Sequence, residues 1–336
     1  PTFLSPASLN RLLEGIFAKI KPAQKDFEGA IEVDPRRTTL AQLEVFKKFG
    51  FNRISLGVQD FDPEVQRLVN RHQPYSITKN ITDSARNLGF HSVNFDLIYG
   101  LARQTPESIQ KTAELTAELR PDRIALYSFA MVPWIKPQQR LFKDEDLPIA
   151  SEKRKLYEIA RKVLVDRGYV EIGMDHFALA DDGLAIAAKE KRLHRNFMGY
   201  TDQYTEVLLG LGVSAISETP ESFHQNEKVF PVYRNRIESE GLATLRGHIH
   251  DSEDRIRRKQ ILELMTSYQV EFIDDDQRQS AQDFLSPMIS DGLVMIDGHW
   301  LKVTDEGKPF LRNACVFFDE RLRRQQPSTQ VFSKSI

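Results

Sequence analysis

One punctuation recurs along the first half of this chain. A glycine followed by an aromatic residue closes three separate stretches of helical periodicity, in KKFGF, RNLGF and VDRGY. Gly50, Gly89 and Gly168 suit the left-handed position just past a helix's last turn, and the aromatic then opens a strand. Helix starts are as regular. Asp62-Pro63-Glu64 and Thr105-Pro106-Glu107 set a capping side chain before a proline at the first helical position. A repeated strand, loop, helix and turn implies parallel strands joined by right-handed crossovers.

The candidate strands are residues 30–34 (AIEVD), 53–59 (RISLGVQ), 92–100 (SVNFDLIYG), 123–129 (RIALYSF) and 169–177 (YVEIGMDHF). Polar side chains gather at their C-terminal ends: Glu32 and Asp34, Gln59 and Asp60, Asn94 and Asp96, Ser128, Asp175 and His176. In parallel α/β folds that edge is where ligands bind. Gln59 and Asp60 are therefore expected to face a ligand rather than the core.

With 336 residues, 40% of them hydrophobic, the chain can bury a large core and suggests two domains, or one barrel with an appendage. A net charge of −2 gives no global pull towards nucleic acid or an anionic membrane. No apolar run approaches the ~20 residues that span a bilayer, and the first ten residues lack the pattern of a secretory signal. The lone cysteine, Cys315, excludes a disulfide framework within the chain and reads as a buried bystander. The chain begins at Pro1, which suggests a processed or truncated piece.

Residues 1–245 are expected to form the barrel domain and 246–336 a helical domain. In the second, SEDRIRRKQILELMTSYQV is a helix that Ser252 could cap, and residues 290–313 form a two-stranded wing between helices. Acidic residues on the wing favour a packing domain over a reader of nucleic acid.

Individual side chains allow two readings each. Glu32 and Asp34 share a strand face; Asp34 fits a turn and cap, Glu32 a binding role. Arg71, at the end of helix 63–70, is either a solvated helix-terminal cation or a clamp for a carboxylate. Asp96 stands among apolar neighbours, so it is neutralised by a partner or bonded to a ligand. His176, His194, Arg195 and Asn196 lack a third ligand spaced for a metal, and His176 could equally be structural. His248 and His250 read as a solvated edge. Gly210 and Gly212 would let the backbone approach a planar ligand.

The strings IEVDPR, GVQDFDPEVQRLVNRHQP, NFDLIYGLARQTPES, IGMDHFAL, LHRNFMGYT and GLGVSAIS closely resemble the oxygen-independent coproporphyrinogen III oxidases, from Pro1 nearly to Ile336. The resemblance implies an α/β fold: a partial open (β/α) barrel of the radical S-adenosylmethionine type, with a C-terminal helical, winged-helix-like domain. It implies a 4Fe–4S cluster and two molecules of S-adenosylmethionine. A 5′-deoxyadenosyl radical would then convert two propionates of coproporphyrinogen III to vinyl groups, giving protoporphyrinogen IX for haem. Carried onto this chain, Glu32 and Ile216 match contacts to the cluster-bound S-adenosylmethionine, and Gln59, Arg71, Asp96 and Ala130 match contacts to the second. Arg195 and Arg36 are candidates for the substrate's carboxylates.

The family's C-x3-C-x2-C motif has no counterpart in this chain, so the cluster's ligands are expected in a missing N-terminal portion. The expected protein is a cytoplasmic monomer that works with an electron donor and an electron acceptor, without nucleic acid or membrane. The competing expectations are a haem chaperone of the same superfamily, an inactive fragment, and an interaction protein built on the wing.

Overall fold

The computed structural model describes residues 1–21, 27–133, 139 and 143–324. The chain separates into two compact units, one spanning Pro1–Ala185 and the other beginning at Ile186. This division falls earlier than the 245/246 boundary expected from the sequence.

The first unit is built from α1 (Pro6–Lys19), β1 (Gly29–Val33), α2 (Leu40–Lys48), β2 (Phe51–Gln59), α3 (Pro63–Leu68), α4 (Tyr75–Asn87), β3 (Ser92–Tyr99), α5 (Pro106–Leu119), β4 (Arg123–Ser128), α6 (Ala150–Asp166), β5 (Tyr169–Gly173) and β6 (His176–Leu179). Its sheet is ordered β1-β2-β3-β4-β6-β5. The ladders from β1 to β4 are parallel, whereas β6 runs antiparallel to both β4 and β5. Residues 169–177, expected as one strand, are thus a hairpin. Met174, at φ 45, and Asp175 make the turn, and period-2 patterning alone does not mark a turn that short.

The predicted punctuation explains where the elements stop. Gly50, Gly89 and Gly168 stand at φ 83, 83 and 91, the left-handed region that glycine enters without a Cβ clash. Asp62 caps α3 by accepting from the N–H groups of Glu64 and Val65, and Thr105 forms a capping box with Ser108. Leu56, Phe95, Ile124 and Phe177 lie in one row across the sheet and are fully buried. They share a core with Leu43 and Phe46 of α2, Ile81 of α4, Ile109 of α5 and Leu156 and Leu164 of α6. One sheet face is therefore committed to helices, and the other is left for polar residues.

The second unit contains α7 (Gly183–Lys189, begun in the first unit), β7 (His194–Asn196), β8 (Gly199–Thr201), β9 (Ile216–Glu218), β10 (Ser222–Asn226), α8 (Phe230–Glu240), β11 (Thr244–Ile249), α9 (Ser252–Ser267), β12 (Gln269–Glu271), α10 (Asp275–Phe284), α11 (Ser286–Ser290), β13 (Val294–Asp297), β14 (Trp300–Val303), α12 (Leu311–Val316) and α13 (Glu320–Arg324). The expected wing is the β13–β14 hairpin, and β12 adds a third strand to it. Asp251, rather than Ser252, caps α9, because its carboxylate accepts from the N–H of Asp254. Among the described residues no helix is long and apolar enough to cross a membrane.

Candidate active site

The face of the first sheet turned away from its helices carries two polar rows. In the first, Glu32 pairs with Ser55 and Ser55 with Asn94. Two residues further along, Gly57 pairs with Asp96, Asp96 with Ala125 and Ala125 with His176. Ladder partners share a face, as do residues two apart on one strand, so both rows line one surface.

Asp96 occupies the centre. It accepts from Nδ2 of Asn94 at 2.9 Å and from Oγ of Ser55 at 3.1 Å. Burial pushes its carboxyl above the ordinary range and the charge of Glu32 adds to this, while the two hydrogen bonds and His176 oppose it. Among the described residues no ammonium or guanidinium forms an ion pair with Asp96.

Arg71 reaches this face by a device at the end of α3. Asn70 takes φ 52 and the N–H of Arg71 bonds the carbonyl of Gln66 at 2.8 Å, which throws the side chain back over β2. There Nε donates to Oε1 of Gln73 at 3.0 Å, and Nη2 donates to the carbonyl of Gly57. Nη2 also lies 3.7 Å from Oδ1 of Asp34. Burial lowers the Arg71 pKa, aided by Arg36 and opposed by Asp34.

Gly57 makes the space. A Cβ there would stand 3.0 Å from Nε2 of Gln59 and 3.3 Å from Nη2 of Arg71. Gln59 itself sits at φ 70. Gln59 and Arg71 therefore meet over Gly57, the ladder neighbour of Asp96, and Glu32 stands exposed on the adjoining row.

Ala130 follows β4. Its carbonyl accepts from Nε2 of Gln139 at 3.0 Å, while Phe129 before it bonds the carbonyl of Tyr99 at 2.8 Å. Nζ of Lys153 donates to the carbonyl of Phe129 at 2.6 Å, so this loop is pinned at the C-terminal edge of β3 and β4. Ile216 opens β9 in the second unit and is half-buried.

Several sequence expectations change. Asp60 does not face a ligand. Gln59's positive φ breaks the period-2 alternation, and Asp60 turns inwards to accept from the N–H of Asp62 and the hydroxyl of Thr112, both at 2.7 Å, and from the amide of Gln104 at 2.5 Å. His250 is buried, its Nδ1 3.0 Å from the carbonyl of Pro220, and so stands on no solvated edge. Gly210 admits the chain's own backbone, since a Cβ there would fall 2.4 Å from the carbonyl oxygen of Ile216. Asp34 holds its turn by accepting from the N–H and side chain of Arg36, which keeps its pKa low. Gly57 and Ser55 went unremarked in the sequence, although Ser55, Gly57 and Gln59 alternate in RISLGVQ.

The residues fit S-adenosylmethionine and do not fit its iron–sulfur partner. A half-buried carboxylate backed by neutral donors, beside a guanidinium held over a glycine, suits a ligand bearing amine, hydroxyl and carboxylate groups. Among the described residues no group of three or more His, Cys, Asp or Glu could hold a metal ion. Cys315 is buried, and burial pushes its thiol up to about 12. This chain's cysteine offers no thiolate set for a cluster.

A largely parallel sheet with one polar face is the frame of a radical S-adenosylmethionine domain, and residues 6–116 match the model of the Radical SAM superfamily. That superfamily implies S-adenosylmethionine and a 4Fe–4S cluster. The chain belongs to the oxygen-independent coproporphyrinogen III oxidase family. It is 41% identical to that enzyme of Escherichia coli over 345 residues, which cover 100% of this chain and 75% of the relative. It is 38% identical to the enzyme of Paracoccus denitrificans, covering 94% of this chain and 72% of the relative. The solved structure of the Escherichia coli enzyme superposes with a TM-score of 0.91, covering 96% of this chain and 76% of that one.

Proposed function

We propose that this chain is the S-adenosylmethionine- and porphyrinogen-binding part of an anaerobic coproporphyrinogen III dehydrogenase, which oxidatively decarboxylates two propionates to vinyl groups. The observation that carries the proposal is Asp96: a half-buried carboxylate, bonded among the described residues by Asn94 and Ser55, on a face that also gathers Glu32, Gln59 and Arg71. Membership of the family supports it.

Two molecules of S-adenosylmethionine are proposed. For one, Arg71 pairs with the methionyl carboxylate, Asp96 accepts from the amine or ribose, Gln59 adds an amide contact, and Ala130 offers backbone to the adenosine. For the other, Glu32 and Ile216 are the contacts, and Ile216 rests on the family resemblance alone. The bound cofactor supplies the radical, and no step runs through a cluster on this chain's residues. The chain's own contribution is to bind and orient. Arg71 loses little on ligand binding because Gln73 and Gly57 already hold its planar fork. An electron donor and an electron acceptor complete the proposed reaction.

Equilibrium dialysis with labelled S-adenosylmethionine tests this. The expected result on this chain, whose residues hold no cluster, is one molecule per chain, lost when Arg71 is changed to Ala. A chain that binds none removes the proposal.

A further inference from the structure

A guanidinium has two edges that can each grip a carboxylate: the side edge, Nε with Nη2, and the end edge, Nη1 with Nη2. In Arg71 the side edge is taken by the protein. Nε donates to Oε1 of Gln73 at 3.0 Å, and Nη2 donates to the carbonyl of Gly57. Among the described residues Nη1 donates to nothing, and it is not one of the buried nitrogens without a partner, so it stays open to solvent. Asp34, the acid beside Nη2, lies 3.7 Å away with both its oxygens bonded by Arg36. The end edge is therefore the one left for a ligand.

What holds the side edge is a fully buried amide, and every polar group of Gln73 is bonded. Its N–H donates to Oε1 of Gln66 at 2.9 Å, and its carbonyl accepts from Nε2 of Gln66 at 2.8 Å. Its Nε2 donates to the carbonyl of Gly57 at 3.2 Å and to the hydroxyl of Thr78 at 3.0 Å. Thr78 is itself fully buried. The amide can stand only one way round. A carbonyl accepts and the Nε of an arginine donates, so Nε2 must face Gly57 and Oε1 must face Arg71. Gln66 also bonds the carbonyl of Asp60 at 2.8 Å, so the clamp is tied to the end of β2, to α3 and to α4 at once.

Packing alone would be served by an apolar side chain of the same length, since a buried amide is favourable only when bonded. What the amide adds is one fixed orientation of the Arg71 guanidinium. A guanidinium free to turn must be ordered when the ligand binds, and that ordering subtracts from affinity.

We infer that Gln73 is a positioning residue that makes this site selective for a carboxylate: it occupies the side edge of Arg71 and so presents the end edge, Nη1 with Nη2, to the methionyl carboxylate. The inference rests on the S-adenosylmethionine reading proposed above.

Titration calorimetry of the 336-residue chain with S-adenosylmethionine and with its decarboxylated form separates positioning from mere support. The second ligand keeps the adenosine, sulfonium and amine and lacks only the carboxylate. Melting temperature is recorded for each variant. The unaltered chain should prefer the acid. Gln73→Met, similar in length and without the amide's donor or acceptor, should weaken S-adenosylmethionine about tenfold, roughly the worth of one hydrogen bond to a charged group. The decarboxylated ligand should bind as before. Gln73→Glu keeps an acceptor for Nε but sets a negative charge near the place of the ligand's own carboxylate. It should weaken S-adenosylmethionine at least as much and the decarboxylated ligand not at all. Equal losses for the two ligands would make Gln73 a structural residue and overturn the inference, as would an unchanged affinity for S-adenosylmethionine in either variant. Should Gln73→Met fail to fold, Gln73→Glu decides alone. An unaltered chain that binds both ligands equally overturns the pairing of Arg71 with the carboxylate, and Gln73's role with it. One that binds neither overturns the S-adenosylmethionine reading itself.

Discussion

Asp60 and Asp96 are carboxylates of one sheet, the first fully buried and the second half-buried, and desolvation is the main force raising the pKa of each. Their bonding differs. Asp60 is surrounded by donors from its own turn and from α5 and the loop before it. Asp62, Thr112 and Gln104 bond its carboxylate, and Gln66 bonds its carbonyl at 2.8 Å. Asp96 has two donors, both from the polar face itself, and a like-charged neighbour in Glu32. A carboxylate filled by loop and helix donors ties a turn in place. A carboxylate with donors from its own strand and the neighbouring one retains acceptor capacity for a ligand.

The largest effect expected from any of these acids belongs to a third, which separates ion pairing from both. Asp182 bonds Nε of Arg123 at 2.8 Å, with side chains 7% and 8% exposed. Asp182→Ala removes the carboxylate from that buried ion pair, so chemical denaturation should show a loss of ~3–5 kcal/mol. Asp60→Ala strands the donors of Thr112, Gln104 and Asp62 and should cost ~2–4 kcal/mol, with S-adenosylmethionine affinity retained in the folded fraction. A stable Asp60→Ala protein would break the comparison from one side.

Asp96→Asn should do the opposite: lower S-adenosylmethionine affinity tenfold or more, about 1.4 kcal/mol, with no loss of stability. The pH dependence sharpens this. The folded pKa of Asp96 is raised above 3.8, so its stability contribution is fully present below that value and is lost as pH rises through the folded pKa. Asp96→Asn abolishes that loss and should be relatively more stable at neutral pH. Binding carries the reverse sign, because the ionised carboxylate attracts the ligand's amine. Affinity should fall as pH drops through the same pKa, and the asparagine protein should lack that limb. Gly57→Ala, which crowds Gln59 and Arg71, should weaken binding severalfold with little effect on melting. Cys315, its thiol pushed up to about 12, should resist alkylation by iodoacetamide in the native protein and react on unfolding.

Much of this frame is legible in the chain because local rules and tertiary packing agree. Gly50, Gly89 and Gly168 end helices where the strand must turn back, and Asp62 and Thr105 start them, so the alternation of elements follows from short-range chemistry. Asp96 is legible for another reason: an acid among apolar strand neighbours must be compensated somewhere. Two of the failures share one cause, single residues at positive φ. Gln59 at φ 70 reverses the direction expected of Asp60, and Met174 at φ 45 folds one expected strand into two. Neither is glycine, the residue by which a sequence announces a left-handed turn, so no local pattern marks them.

The central claim is that the polar rows, and not the buried turn beside them, are the ligand face. Its most direct test is to measure S-adenosylmethionine affinity and melting temperature for Asp96→Asn and Asp60→Asn side by side. The account predicts that Asp96→Asn loses affinity and melts no lower, whereas Asp60→Asn keeps affinity and melts lower. Equal affinities in the two proteins, or a loss confined to Asp60→Asn, would contradict it.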